Sequence, residues 1–400
     1  MLNVKSALRQ ILNEIRPGGA VSMPLLKCLG CLLAEDIISQ EALPPFSNSS
    51  MDGYAVRSND FLRGKKIFRM ADAIAAGTMP TQNLKSGFAA PIMTGAPIPS
   101  AADAVIPIEQ SKKLPDGFVN FFSAPEKNQY VRLKGEEIQR AEKIISRGKI
   151  LQPADLGLLS SIGRTTVKVI PKPTLSILTT GSEIVDPSVV PKPGQIRNAN
   201  LTALTACAQN LGVPVISSRH VKDDALLLEQ AFSECQSDVI LTCGAVSVGE
   251  YDFVKPVLAK MGKIYFWKVA IKPGKPFVFG KIGRAYFFGL PGNPVSALVT
   301  FEILVKPALL ALSGRKKQSV ILKKAKLTEP IEHEPGRLEY VRARVLKNGK
   351  NWTATPLPWQ GSSMLRSLTQ ANAWIVVPQN SASIPAGNQI RFLSFLSEES

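Results

Sequence analysis

Residues 174–183 read TLSILTTGSE, an apolar run that closes on a glycine turn. A helical pattern follows at NLTALTACAQNLG (200–212), with Gly212 where a C-terminal cap belongs. The alternation then repeats. VPVISSRHV (213–221) precedes a helical DDALLLEQAFSEC (223–235), and DVILTC (238–243) precedes FVKPVLAKMG (253–262). KIYFWKVAI (263–271), FVFGKI (277–282) and AYFFGLP (285–291) lead into a long helical run, PVSALVTFEILVKPALLAL (294–312). Strands that alternate with helices require right-handed parallel crossovers, so residues 171–314 predict a doubly wound, mostly parallel sheet.

Four hundred residues are too many for one domain and imply two to four at about 150 residues each. Residues 1–40 carry a helical pattern that LPPF (43–46) breaks. Short β-like runs occupy 45–133, and a further helix is expected after Pro153. Beyond 315, β-like alternation returns in RLEYVRARVLK, NWTATPLP, AWIVVP and QIRFLSFL, the pattern of a small barrel or sandwich. The expected architecture is therefore multidomain α/β in four parts. Residues 1–44 with 134–170 form a helical linker domain, and 45–133 a small, mostly-β inserted domain. Residues 171–314 form the α/β domain, and 315–400 a C-terminal β-barrel-like domain.

Composition narrows the chemistry. Forty-eight basic against 31 acidic residues leave a net charge of +17, which favours anionic partners. Two histidines, His220 and His333, are too few for a His-built metal centre, and a Ser-His-Asp triad is disfavoured. Cys28 and Cys31 form C-x-x-C, but no second such pair exists, and the apolar flanks read as packing. No phosphate-cradling G-x-x-x-x-G-K-[ST] loop occurs, which argues against a P-loop NTPase. No uninterrupted apolar run reaches about 18 residues, and the N-terminus has no signal-peptide pattern, so a cytoplasmic location is expected.

In an open parallel sheet, ligands sit outside the carboxyl ends of the strands. There the sequence places Gly181-Ser182-Glu183, Asp223, the loop Ala245–Asp252 with Ser247, and Pro291-Gly292-Asn293-Pro294. Small residues let backbone N–H groups approach an anion, and the helix after Pro294 points its positive end the same way. Carboxylates beside a phosphate site call for a divalent cation, so Glu183, Asp223 and Asp252 are candidate Mg²⁺ ligands. Lys268, Lys272 and Lys275 in FWKVAIKPGKP are candidate oxyanion donors, with Ser247. Any one of these loops taken alone reads as ordinary turn chemistry; four on one rim read as a site. The basic run from Arg315 to Lys326 opens a second reading, a non-enzymatic scaffold or nucleic-acid binder. No aromatic-interleaved RNA-binding signature accompanies it, and nucleic acid is the less expected partner.

Several stretches, in order, resemble the molybdopterin molybdenumtransferases, the MoeA and gephyrin E-domain family: SSMDGYAV (49–56), MTGAPIP (93–99), ADAVIP (102–107), TTGSEI (179–184), KPGKP (272–276), LPGNPVS (290–296), GRLEYVRA (336–343) and QGSSMLRSLTQAN (360–372). The resemblance implies insertion of molybdate into adenylylated molybdopterin, with release of AMP. It implies that Glu183, Asp223 and Asp252 serve Mg²⁺ or pterin, while Lys268, Lys272, Lys275 and Ser247 hold anions. Pro291 and Pro294 would shape the floor, and Arg342 and Ser362 would complete an oxyanion pocket. Asp52 and Thr94 would reach the site of a second subunit in a homodimer. Other cofactor-assembly proteins and apo-molybdoenzymes are the implied partners. Ala245 stands where the family usually has glycine, and Ser47, Ser363 and Ala373 are further departures.

Overall fold

A computed structural model describes residues 1–244, 253–315 and 322–395. They divide into two units, Met1–Val21 with Ile170–Ser400, and Ser22–Val169.

The larger unit is built on six strands: β1 (Leu175–Thr180), β2 (Val215–Val221), β3 (Val239–Cys243), β4 (Gly262–Trp267), β5 (Val278–Ile282) and β6 (Ala285–Leu290). Their order is β2-β1-β3-β6-β5-β4, parallel from β2 to β6, with β5 antiparallel to both β6 and β4. β1 is buried at all six positions because both faces are covered. Ile177 joins the core made with α1 (Val4–Glu14) and α2 (Ala199–Asn210), whereas Leu178 joins the one made with α3 (Ala225–Ser233) and α4 (Val254–Met261). The doubly wound expectation is met. α5 (Pro294–Thr300) and α6 (Lys306–Leu312) are joined by a π turn, and together they are apolar enough for a membrane span. Two-thirds of that apolar stretch is buried, however, as befits a core helix.

The C-terminal strands are β7 (Lys323–Leu327), β8 (Leu338–Asn348), β9 (Asn351–Pro356), β10 (Ala373–Val377) and β11 (Gln389–Ser394). β8 pairs with both β9 and β10, β7 with both β9 and β11, and β10 with β11. The ring therefore closes as a five-stranded barrel around Val341, Val345, Ile375 and Phe392, with no free edge within it. A two-residue strand, Ile271–Lys272, runs parallel to β8, with Lys272 opposite Glu339.

In the smaller unit, a six-stranded sheet carries Gly53–Val56 between Phe88–Ile92 and Ala104–Pro107. Phe61, Phe68, Phe121 and Tyr54 fill one face of it. Gly53 is required there because a Cβ would lie 2.1 Å from the Ile106 carbonyl oxygen. Gly53→Ala is therefore expected to destabilise the protein by about 1–3 kcal/mol, read as a lowered calorimetric midpoint; a midpoint within about 1 °C of wild type would contradict it.

The helical pattern read over residues 1–40 holds only for Val4–Glu14. That helix packs through Val4, Ala7 and Ile11 on the central layer, and Met1–Val21 falls within the larger unit. The C-x-x-C stretch is not helical either. It forms a 3₁₀ turn at Leu25–Cys28 and a short strand at Leu32–Leu33, separated by Gly30 at φ 72°. Cys28 and Cys31 are buried against the helix Pro153–Ser161, and burial beside Cys31 pushes the Cys28 thiol up to about 11. This is packing, as the flanking sequence indicates.

Candidate functional site

The chain leaves β1 for β2 on one side and returns to β3 on the other. The crevice between β1 and β3 is therefore the switch point at which such sheets bind ligands. A cavity of roughly 650 Å³ opens there. Its walls include Thr180 and Gly181 at the end of β1, Asp223 after β2, Gly244 after β3, and Pro291–Pro294 after β6. Gly244 is held at φ 103°, and a Cβ there would meet the Thr180 carbonyl oxygen at 2.4 Å, so β1 and β3 approach closely at the crevice.

Two carboxylates face this space. Glu183 follows the turn closed by the Ile184 N–H on the Gly181 carbonyl (3.1 Å), and its carboxylate folds back over Gly181. Asp223 accepts the Ser182 N–H on Oδ2 at 2.9 Å, while its buried Oδ1 has no partner among the described residues. The N-terminus of α2 closes another wall. Its cap Asn198 accepts from the Leu201 N–H (3.1 Å) and donates Nδ2 to Thr179 Oγ1 (2.7 Å). Cys243 also lines the cavity, but its thiol donates to the Pro291 carbonyl (3.1 Å), and burial pushes it up to about 12, which keeps it protonated at neutral pH.

A second cavity of roughly 320 Å³ adjoins the first, and Pro276, Pro291 and Asn293 belong to both walls. Lys272 and Lys275 enter it from the KPGKP turn, with Arg337, Glu339, Tyr340, Gln360 and Ser362 from the barrel side. Asn293 Nδ2 donates to Ser362 Oγ at 2.8 Å, and the Val295 N–H donates to the Ser362 carbonyl at 3.0 Å, which fastens the barrel loop to the start of α5.

Of the residues singled out in sequence, the first cavity gathers Gly181, Glu183, Asp223, Pro291, Asn293 and Pro294, and the second Lys272, Lys275 and Ser362. Ser182 lines neither and acts through its N–H on Asp223. Lys268, in the left-handed region at φ 72°, also lines neither, and its N–H donates to the Phe277 carbonyl. Arg342 lies behind the second cavity. Its backbone N–H and C=O are both gripped by the Gln360 side chain, and Nη2 donates to the Trp359 carbonyl (2.8 Å). Burial pulls its guanidinium down to about 10, with Glu339 acting in the opposite direction. Asp52 and Thr94 belong to the smaller unit, where the Thr94 N–H (2.7 Å) and hydroxyl (2.8 Å) both donate to Asp52 Oδ1. Those bonds, the backbone one first, hold the Asp52 carboxyl below its usual range. Ser247 and Asp252 lie outside the described residues. Sequence reasoning missed Glu339, whose signal was a lone carboxylate in a strand whose other charged residues are all basic, and Arg337 and Asn198.

Magnesium is testable against this donor set. Among the described residues no cluster of three or more His, Cys, Asp or Glu gathers. Two hard carboxylates on one wall, one with an unpartnered buried oxygen, suit an ion that takes one or two carboxylates and leaves its other positions to phosphate and water.

Residues 2–163 match the MoeA N-terminal region (domain I and II), 176–311 the probable molybdopterin binding domain, and 324–395 the MoeA C-terminal region (domain IV). A molybdopterin molybdenumtransferase of Haemophilus influenzae is 36% identical over 400 residues, covering 99% of each chain. The chain belongs to the molybdopterin molybdenumtransferase family. A relative of the same name from Staphylococcus aureus is 32% identical, over 97% of this chain and 94% of its own. Two structures of a molybdopterin biosynthesis MoeA protein from Pyrococcus horikoshii, at 30% and 27% identity, superpose with TM-scores of 0.76 and 0.70. Each covers 99% of this chain and 100% of its own.

Proposed function

We propose that this chain inserts molybdate into adenylylated molybdopterin with Mg²⁺-dependent release of AMP. The observation that carries the reading is the shared wall. A cavity with two carboxylates and a helix N-terminus meets a cavity lined with ammonium and guanidinium groups, and Pro276, Pro291 and Asn293 stand between them.

The larger cavity receives the adenylylated pterin. Backbone N–H groups near Gly181 and at the start of α2 orient its phosphates. Glu183 and Asp223 hold Mg²⁺, with Asp252 as a further candidate; when bound, the ion offsets phosphate charge and polarises the phosphoanhydride. The smaller cavity receives molybdate, and Lys272, Lys275, Ser362 and Asn293 supply its donors. Arg342 and Lys268 add positive charge from behind and beside it, and Ser247 is a further candidate donor. Burial of the reacting groups against Pro291 and Pro294 excludes water that would otherwise hydrolyse the anhydride. Asp52 and Thr94 would complete the site from the second subunit of a homodimer. A cytoplasmic setting, and delivery of the product to apo-molybdoenzymes, fit this reading.

The test is AMP release from adenylylated molybdopterin with molybdate and Mg²⁺. The expected result is release that requires both additions and stops on chelation with EDTA. Release no faster than in a protein-free control would refute the proposal.

A further inference from the structure

The smaller cavity contains an electrostatic contradiction. Lys272, Lys275 and Arg337 line it, as an anion requires, yet the Glu339 carboxylate lines it too. A bare carboxylate beside an oxyanion would oppose its binding. Glu339 is not bare, because both of its oxygens are engaged. Oε1 lies 3.1 Å from Lys272 Nζ, and Oε2 lies 2.6 Å from His333 Nδ1. The His333 side chain is fully buried, and its Nε2 has no partner among the described residues, so its polar contact is spent on Glu339. Backbone register enforces the first pair, since Lys272 stands opposite Glu339 where Ile271–Lys272 runs along β8.

A lysine ammonium on a four-carbon stem otherwise samples many rotamers, and ordering it for an anion costs entropy. We propose that Glu339 is a positioning residue for the oxyanion pocket, with His333 as its anchor. The pair holds Lys272 against the cavity wall and, with the proton on His333 Nδ1, keeps the carboxylate charge turned from the anion. This rests on the reading of the smaller cavity as an oxyanion receptor.

Simple charge arithmetic and positioning predict opposite signs, which makes the inference testable. If Glu339 only repelled the anion, Glu339→Ala would tighten binding; if it positions Lys272, the same change weakens it. Sodium molybdate binding to the full chain is measured by titration calorimetry, alongside the KM for molybdate in the AMP-release assay. The expected result is a Kd raised about tenfold or more in Glu339→Ala, with Glu339→Gln within about threefold of wild type. The amide oxygen keeps an acceptor for Lys272, and its nitrogen can donate to His333 Nδ1 once the ring proton moves to the unpartnered Nε2. Should Glu339→Ala fail to fold, His333→Leu reads the same coupling from a residue that does not line the cavity, with about a fivefold rise that His333→Gln largely reverses. In each case the loss falls on KM rather than kcat. Binding by Glu339→Ala, or by His333→Leu where that variant stands in, as tight as wild type or tighter would overturn the inference alone. A wild-type chain that takes up no molybdate would overturn the reading of the pocket as well.

Discussion

Replacing Asp223 by asparagine is expected to lower AMP release by at least about 100-fold while leaving the melting temperature unchanged or higher. The two effects separate because the two oxygens of Asp223 do different things. Oδ2 accepts the Ser182 N–H at 2.9 Å, and the amide oxygen of asparagine can do the same. Oδ1 is buried with no partner among the described residues, and a buried carboxylate oxygen so placed costs stability until a cation meets it. Asparagine leaves a neutral amide nitrogen in that place and so removes the buried charge that the cation needs. Asp223→Ala should lose turnover as severely and stability as well, since the Ser182 N–H is then left unpaired. The measurements are initial rates across a Mg²⁺ titration and thermal unfolding with and without Mg²⁺. Wild-type turnover in Asp223→Asn would remove Asp223 from the proposed ion site.

Arg342→Met should likewise divide function from stability. Arg342 is 0% exposed, and its Nε and Nη1 have no hydrogen-bond partner among the described residues. Its guanidinium is drawn down from its ordinary range to about 10, first by burial. Because the folded-state value lies below the unfolded one, the fold disfavours the charged form. That cost is fully present below pH 10 and fades as pH rises above about 10. A methionine of similar length should therefore leave the protein as stable at pH 7, or more stable by roughly 1–3 kcal/mol. Loss of the cation behind the Lys272 cavity should raise the KM for molybdate by at least about 100-fold. Urea unfolding at pH 7 and at pH 10.5 gives the stability, and the gap between variant and wild type should narrow at the higher pH. A variant that is destabilised by several kcal/mol, or that keeps its molybdate KM, would contradict this account of Arg342.

Much of the central layer was legible because strands buried on both faces announce themselves. Leu175–Thr180 and Val239–Cys243 have little polar interruption, and each ends in a glycine. The rim residues were legible for the same reason: a strand end fixes where the next few residues must lie, so Glu183, Asp223 and Asn293 could be put together without coordinates. The second cavity was only half visible. Lys272 and Lys275 stood out by charge, but the partnership of Lys272 with Glu339 is set by the register of a two-residue strand and crosses 67 positions of chain. No local pattern encodes that. Arg342 shows a related limit, since its membership of a motif said nothing of its lying behind the cavity wall and not in it. The first 40 residues misled because apolar residues three or four apart serve a helix at Val4–Glu14 and tight arches around Cys28 equally well.

The lysine turn is stitched to the barrel by the pairing of Ile271–Lys272 with β8, so the proposed receptor for the oxyanion has no independent existence from the barrel's staves. Substitutions at Val341, Val345 or Ile375, which touch no ligand, should then surface in any selection for altered tungstate or molybdate preference, because shifting a stave moves the ammonium it carries.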